Sequence, residues 1–506
     1  MSKNYSHVVR WAGLTALALL VLYVVSLMYL AGQTALGMVV LAVAGLGVYI
    51  YTSEGAYTYR YLFPGLLGMG IFVILPLAYT VWVGFTNYSS SNLLTYERVR
   101  TQLLEETFRG EGGAYGFSLY AADGGYRLAL QRKSSDQTYL TPVVALDGTD
   151  PEAIAAEPLA GAESGEPLPI KDVVRLRNAL NALTVELPNA TKLRMAGMRD
   201  FAPLQPLYES GADGSLINRQ TGERLTPNFE TGFFESPQGE AITPGFRVTI
   251  GFANFVRIFT EPAFQGPFFR IFAWNVAFAA LTVLFTLVVG MTLAVVLNWD
   301  ALRFRAVYRA LLFLPYAVPA FISILIFKGL FNSNFGEINQ MLDMLFGIKP
   351  EWTSDPWLAK SMILMVNTWL GYPYMMVLCI GLLKSIPGDL YEASALDGIG
   401  PLKNFFGITA PLLVRPLTPL LIASFAFNFN NFVLIALLTG GRPDFLGTQV
   451  PAGTTDILVS YTYRIAFEDA GKNFGLGAAI SAIIFLLVAT LSLINLRLTR
   501  ANASAR

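Results

Sequence analysis

The chain has 506 residues, 54% of them hydrophobic and only 14% charged, with 35 basic residues set against 35 acidic ones. So apolar and charge-poor a composition excludes an ordinary soluble domain, and the zero balance argues against nucleic acid as a partner. A single cysteine (Cys379), a single histidine (His7) and no Gly-x-x-x-x-Gly-Lys-Ser/Thr stretch leave little material for a disulfide, a metal cluster, nucleophilic catalysis or ATP binding.

Apolar runs of about 20 residues, the length that crosses a bilayer core, lie at 12–31, 35–51, 62–87, 272–298, 310–332, 359–383, 412–438 and 474–496. The second is short and can tilt little. The first follows Lys3 and Arg10 as in a signal peptide, but its length and the apolar run close behind read as an uncleaved anchor. Eight spans put both termini on one side. Lys3, Arg10, Arg60, Arg303, Arg305, Arg309, Lys384, Lys403, Arg415, Arg497, Arg500 and Arg506 fall in the tails and alternate short connections. The positive-inside rule makes that side cytoplasmic, and Gly32-Gln33-Thr34 on the other face carries no basic residue.

Residues 91–271 are rich in Glu, Arg, Asp, Gly and Pro, and the topology places them outside. Tyr115 to Tyr120 and Tyr126 to Leu130 alternate as strands do, with turn signals at Asp123-Gly124-Gly125 and Asp147-Gly148. Asp172 to Leu183 reads as an amphipathic helix, Asn189-Ala190-Thr191 as a turn, and 150–168 as a loose excursion. This length can bury its own core, so an α+β or mostly β domain is expected. After it, Phe252, Phe255 and Ile258 fall on one face of a helix that can rest on a bilayer surface.

No Asp, Glu, Lys or Arg lies near the middle of a span, and Lys328 and Lys360 sit near ends where they can snorkel. A central charge costs roughly 2.5–3.5 kcal/mol and usually marks ion handling. Its absence argues against a proton- or sodium-driven carrier and against a charged substrate. Neutral polar groups do cluster. Ser424, Phe427, Asn428 and Asn431 share one helical face, and Asn367, Leu370, Gly371 and Tyr374 share another, with Trp369 nearby. Amides that donate and accept, rings that lie against C–H faces, and a Gly that leaves room describe a site for a neutral, hydroxyl-rich molecule. The alternative is that Asn and Ser glue helices together, at about 0.6 kcal/mol per bond. Pro315, Pro319 and Pro373 can kink or hinge their helices, though membrane helices also tolerate proline.

Between the sixth and seventh spans, Pro387-Gly388 is a turn and Asp389 can cap a helix to which Glu392 reaches back. Ala393, Ala395 and Leu396 favour helix, and Gly398 then Pro401 end it. A compact helix tethered to spans at both ends suits docking to a soluble partner, and it equally suits an ordinary capped linker.

The order Glu392-Ala393-Ser394, Gly398, Ile408, Pro411 resembles the EAA loop of bacterial ABC importer permeases, whose pattern is Glu-Ala-Ala, Gly, then Ile-x-Leu-Pro. Ser394 replaces the second Ala and Ala410 the Leu before Pro. The resemblance implies that Glu392 and Gly398 meet a nucleotide-binding subunit. The stretch from Pro244 to Phe255 is similar to the Gly-Phe-x-Asn-Phe lead-in of sugar importer permeases. Glu392 to Pro419, Ser424 to Phe432, Asn367 to Tyr372, the three leading spans and the large insert together resemble the larger membrane subunit family of maltose/maltodextrin ABC importers.

That resemblance implies substrate-binding roles for Asn367, Leu370, Gly371, Tyr374, Ser424, Phe427, Asn428 and Asn431, and ATPase coupling through Glu392, Ala393, Ser394, Gly398, Ile408 and Pro411. Ala320 stands where the family pattern has a Ser. Implied partners are a second permease subunit, a cytoplasmic ATPase dimer, a periplasmic maltose-binding protein, the sugar and membrane lipid, with no cofactor. The expectation is therefore an all-α polytopic protein of the bacterial inner membrane, with about eight transmembrane helices and both termini cytoplasmic. It divides into 1–90 (spans one to three), 91–271 (a periplasmic insert) and 272–506 (spans four to eight with the coupling loop 389–411). The alternative function is a membrane-bound sugar sensor with a periplasmic ligand-binding domain.

Overall fold

The apolar runs fold as helices because a backbone in hydrocarbon must satisfy its polar groups internally. The structure, a computed structural model, describes residues 2–110, 113–132, 137–147, 153–159, 165–299, 301–448 and 450–504. Two compact units emerge: Met1–Phe85 with Phe255–Tyr463 and Gly477–Arg506, and Thr86–Asn254 with Arg464–Leu476.

Among the described residues of the helical unit, six helices are long and apolar enough to cross a bilayer: Trp11–Leu30, Tyr59–Gly84, Pro262–Leu297, Pro356–Leu383, Pro401–Phe429 and Phe474–Ile494. A bent pair counted as one span makes seven, beside an expectation of about eight. The expected second span, 35–51, lies in the helix Thr34–Thr52, whose apolar part Leu36–Thr52 is too short to qualify.

The expected fifth span, 310–332, is not one rod. Arg305–Ala317 and Ala320–Leu330 meet at 91°. Val318 is extended (ψ 131°), as a residue before proline prefers, and Pro319 opens the second half. Pro373, by contrast, lies inside the continuous helix Pro356–Leu383. The expected seventh span, 412–438, also breaks. Ala410–Phe429 ends at Asn430, and Phe432–Leu438 starts afresh with the Asn431 side chain accepting from the Leu434 amide.

Pro262–Leu297 and Pro356–Leu383 form the central pair. They cross so closely at Gly290 that a Cβ there would lie 2.7 Å from both Met375 Cβ and Met376 N. Above and below this crossing the core divides. One cluster gathers Phe278, Ile324, Ile363, Val366, Leu434 and Ile435, and the other Met291, Met376, Cys379, Leu413 and Leu417.

The second unit is mostly β. Its eight-stranded sheet runs in the order Ala153–Ala155, Thr184–Glu186, Lys192–Gly197, Asp200–Ala202, Tyr115–Ala122, Gly125–Arg132, Thr138–Leu140, Glu157–Pro158. Ala122 pairs with Gly125 across the expected Asp123-Gly124 turn, where Gly124 takes a positive φ of 88°. Leu119, Leu128, Leu130, Val185, Leu193 and Phe201 point into one core. The expected helix from Asp172 to Leu183 is two, Ile170–Arg175 and Arg177–Ala182, broken at Leu176, and it covers that core with Val173 and Leu180. The turn at 189–191 is present, with Ala190 at φ 62°.

The stretch 150–168, expected as loose, lies partly outside the described residues, as does Gly148 of the expected Asp147-Gly148 turn. Its described parts supply two strands of the sheet. A five-stranded antiparallel sheet from Tyr208 to Ile242 packs Leu216, Leu225 and Phe234 against Val99 and Leu103 of the helix Tyr96–Glu105.

Whereas the sequence placed the insert at 91–271, this compact unit closes at Asn254, whose buried amide donates to the Thr86 carbonyl at 2.8 Å. Residues 464–476 join it from far along the chain. The Gly475 amide donates to the Tyr88 carbonyl at 2.8 Å, and Ser90 donates through both its amide and its hydroxyl to the Gly471 carbonyl.

Candidate pathway site and coupling segment

Pro356–Leu383 and Ala410–Phe429 bring their amides together. Asn367 Nδ2 donates to Asn428 Oδ1 at 2.8 Å and to Thr282 Oγ1 at 3.2 Å. Asn431 Nδ2 donates to Asn367 Oδ1 at 3.4 Å, and Asn428 Nδ2 to the Ser424 carbonyl at 2.8 Å. Asn367 and Asn428 are buried. Every partner is neutral, so the cluster can exchange hydrogen bonds with hydroxyl groups without placing a charge in the bilayer. In this conformation the amides satisfy one another.

The other four expected site residues stand apart from this network. Leu370 packs into the apolar cluster around Phe278 and Ile324. Gly371 permits a helix crossing, since a Cβ there would come within 2.8 Å of Thr286 Cγ2. Tyr374 and Phe427 are exposed, Phe427 at 71%. Trp369 meets Phe327 edge-on, with centroids 5.0 Å apart. Ala320 is exposed and opens the half-helix that follows the 91° bend.

Sequence reasoning missed two members of the polar core. Thr282 joins Asn367 from the opposite helix. Asn275, fully buried, donates to the Phe429 carbonyl at 3.1 Å and accepts from the Leu458 amide at 2.9 Å. It thereby satisfies the backbone where the helix Ala410–Phe429 stops. The signal was an Asn within an otherwise apolar run.

The segment 387–411 carries the second group. Its helix, Asp389–Leu396, starts one residue earlier than expected: Gly388 occupies the cap position and no side chain caps it. Gly388 has helical angles and its carbonyl already accepts from Tyr391 and Glu392, so Asp389 is the first helical residue rather than the cap. Its charge still favours the positive end of the helix.

The far end closes in a Schellman motif. Ile399 N donates to the Ser394 carbonyl and Gly398 N to that of Ala395, with Gly398 at φ +70°. Glu392 and Ala393 are exposed, while Ser394 is buried and its hydroxyl donates to Asn404 Oδ1. The hydroxyls of Tyr391 and Thr409 lie 2.9 Å apart. Thr409 closes a π-helical turn, Phe405–Thr409, that contains Ile408, and Pro411 sits in the first turn of the next helix. Leu396, 91% exposed, and the exposed Leu402 and Phe406 leave three apolar side chains uncovered in this segment.

Three family models match the chain. They are the maltose transport system permease protein MalF P2 domain over 94–251, the binding-protein-dependent transport system inner membrane component over 286–501, and the MalF N-terminal transmembrane region over 8–55. The maltose/maltodextrin transport system permease protein MalF of Klebsiella aerogenes is 53% identical over 497 residues, 97% of this chain and 96% of that one. Its counterpart in Escherichia coli (strain K12) is 51% identical over 502 residues, 98% and 97% of the two chains. The chain belongs to the MalF family of transport permeases.

As a MalF-family member it is a multi-pass membrane transport component and not an enzyme. The MalF P2 match falls within the β-rich unit and leaves out the strap at 464–476. A chain of a solved bacterial alginate ABC transporter is 20% identical, with a TM-score of 0.42, covering 50% of this chain and 83% of that one.

Proposed function

We propose that this chain is the larger membrane-spanning subunit of an ABC importer that carries maltose and maltodextrins across the bacterial inner membrane, while a partner hydrolyses the ATP. Near-complete alignment to MalF permeases at about half identity carries the reading. The neutral amide cluster at Asn367, Ser424, Asn428 and Asn431 is the sugar site in this reading, with Leu370, Gly371, Tyr374 and Phe427 joining it when the helices re-pack. A ligand can drive such a change only by binding one arrangement better than the other.

The helix Asp389–Leu396 is the coupling element. Its exposed Glu392 and Ala393, and the sharp exit at Gly398, support docking to an ATPase dimer, and Ser394, Ile408 and Pro411 tie that docking to the base of the seventh helix. The tails and this segment face the cytoplasm and the β-rich insert faces the periplasm, where a sugar-binding protein meets it. A second permease subunit supplies the other half of the pathway.

The test is to purify the chain with whatever binds it and reconstitute the assembly in vesicles. ATP hydrolysis raised by maltose plus binding protein, with sugar entering the vesicles, is the expected result. Uphill maltose transport by the isolated chain without an ATPase overturns the reading.

A further inference from the structure

The N-terminal helices enclose a groove that the transport reading leaves unused. It lies between Ser2–Leu30, Thr34–Thr52 and the helix beginning at Tyr59, with a volume of about 1090 Å³. Its wall is apolar from Leu22 through Val40 and Ala44 to Leu75. At Gly45, in that wall, an added Cβ would meet nothing within 4 Å.

Among the described residues that line it, Arg60 alone is charged. The Arg60 guanidinium is fixed in place: Nε donates to the Ile50 carbonyl and Nη2 to the Ser53 carbonyl, each at 3.0 Å, and the Tyr57 ring lies 5.2 Å away. No carboxylate among the described residues pairs with it, and its bonded partners are the carbonyls that end Thr34–Thr52, at one end of the groove. Tyr49, Tyr51, Tyr57, Tyr59 and Tyr61 are all exposed around it. Such a belt of tyrosines marks the headgroup level of a bilayer.

Size selects the occupant. From Arg60 to Leu75 the helix advances about 22 Å, more than half of a hydrocarbon core of about 30 Å. A dry apolar wall does not retain water. An extended acyl chain can run along that length of apolar wall, and a guanidinium suits a phosphate oxygen pair.

We propose that this groove is a phospholipid site, with an acyl chain along its wall and an anionic headgroup on Arg60. Basic pockets between membrane helices take anionic lipids in this manner. The site is independent of the transported sugar.

The experiment embeds the full assembly in bilayers of equal phosphatidylglycerol and phosphatidylcholine, extracts it in mild detergent, and counts retained lipids by native mass spectrometry. The unaltered chain is expected to retain phosphatidylglycerol several-fold over phosphatidylcholine. Arg60→Gln should bring that ratio to the bilayer's own, Arg60→Lys should preserve the preference, and Gly45→Trp should lower retention of both lipids. Equal ratios for the unaltered chain and Arg60→Gln overturn the proposal, and so does Gly45→Trp retaining as much lipid as the unaltered chain. Should Arg60→Gln fail to fold, Arg60→Lys and Gly45→Trp decide it: loss of preference in the first or full retention in the second overturns the site.

Discussion

Asn367 Nδ2 donates to Asn428 Oδ1 at 2.8 Å, joining two helices through a pair of buried amides. A helix-glue role and a sugar-binding role make different demands on this bond. Interhelical bonds in membranes are worth on average about 0.6 kcal/mol, so glue alone predicts a small change in stability and in transport. Asn428→Ala is expected to cut maltose uptake about tenfold, equivalent to ~1.4 kcal/mol, while the thermal unfolding of the purified assembly shifts little. Parallel small losses in both measurements would assign the pair to packing.

Glu392→Lys reverses the exposed charge on the helix Asp389–Leu396, the proposed docking element, while leaving its Schellman closure intact. Site-to-site coupling energies typically correspond to about 5–150-fold effects. We expect stimulation of ATP hydrolysis by sugar to fall at least about fivefold with normal membrane insertion. A variant that stimulates normally would remove Glu392 from the coupling path.

Two side-chain bonds, Ser394 to Asn404 and Tyr391 to Thr409, fasten the helix Asp389–Leu396 to the foot of Ala410–Phe429. Each is worth about 0.5–1.5 kcal/mol, enough to decide whether the two elements move together. Combining Ser394→Ala with Tyr391→Phe should lower sugar transported per ATP hydrolysed, with the ATPase still bound. An unchanged ratio would mean that the backbone alone carries the displacement.

At Gly290 the central helices touch backbone to side chain, so overpacking has nowhere to relax. Gly290→Val is predicted to destabilise the helical unit by about 1–3 kcal/mol, read as a lower melting temperature in detergent. Gly45→Ala, where space is open, should leave it unchanged.

In the β-rich unit the Ser215 hydroxyl, donating at 2.6 Å and aided by backbone amides and Arg224, holds the Asp213 carboxyl at about 2 against an ordinary 3.8. A carboxylate depressed in the folded state adds stability that is present above its unfolded value and lost as pH falls through its folded one. Asp213→Asn should therefore flatten the acid response between about pH 4 and pH 2, followed by hydrogen exchange of Leu216 and Leu225. An identical acid profile would refute this.

Much of this was readable from local pattern. Turn chemistry located the Asp123-Gly124 hairpin, and Gly398 located the end of the helix Asp389–Leu396, because both depend on a left-handed residue that glycine supplies. Periodicity placed Asn367 and Asn428 on inward faces. What local pattern does not carry is pairing at a distance. Asn275, Thr282 and the strap 464–476 take their roles from residues far along the chain, and no window of sequence contains both partners. The strands at Ala153–Ala155 and Glu157–Pro158 were missed for the same reason, since their composition reads as coil and only the neighbouring sheet recruits them. At the start of the helix Asp389–Leu396, Asp389 is the better cap by residue type. Pro387 and Gly388 had already supplied the first carbonyls, and the backbone won.

The strap has a consequence for the order of assembly. Residues 464–476 leave the ribosome 210 residues after Asn254 (464 − 254). At about 5–20 residues per second that is a delay of about 10–40 s. Throughout it the Tyr88 carbonyl and Ser90 wait for partners not yet synthesised, so the β-rich unit is complete only after the helices between Phe255 and Tyr463 have been made.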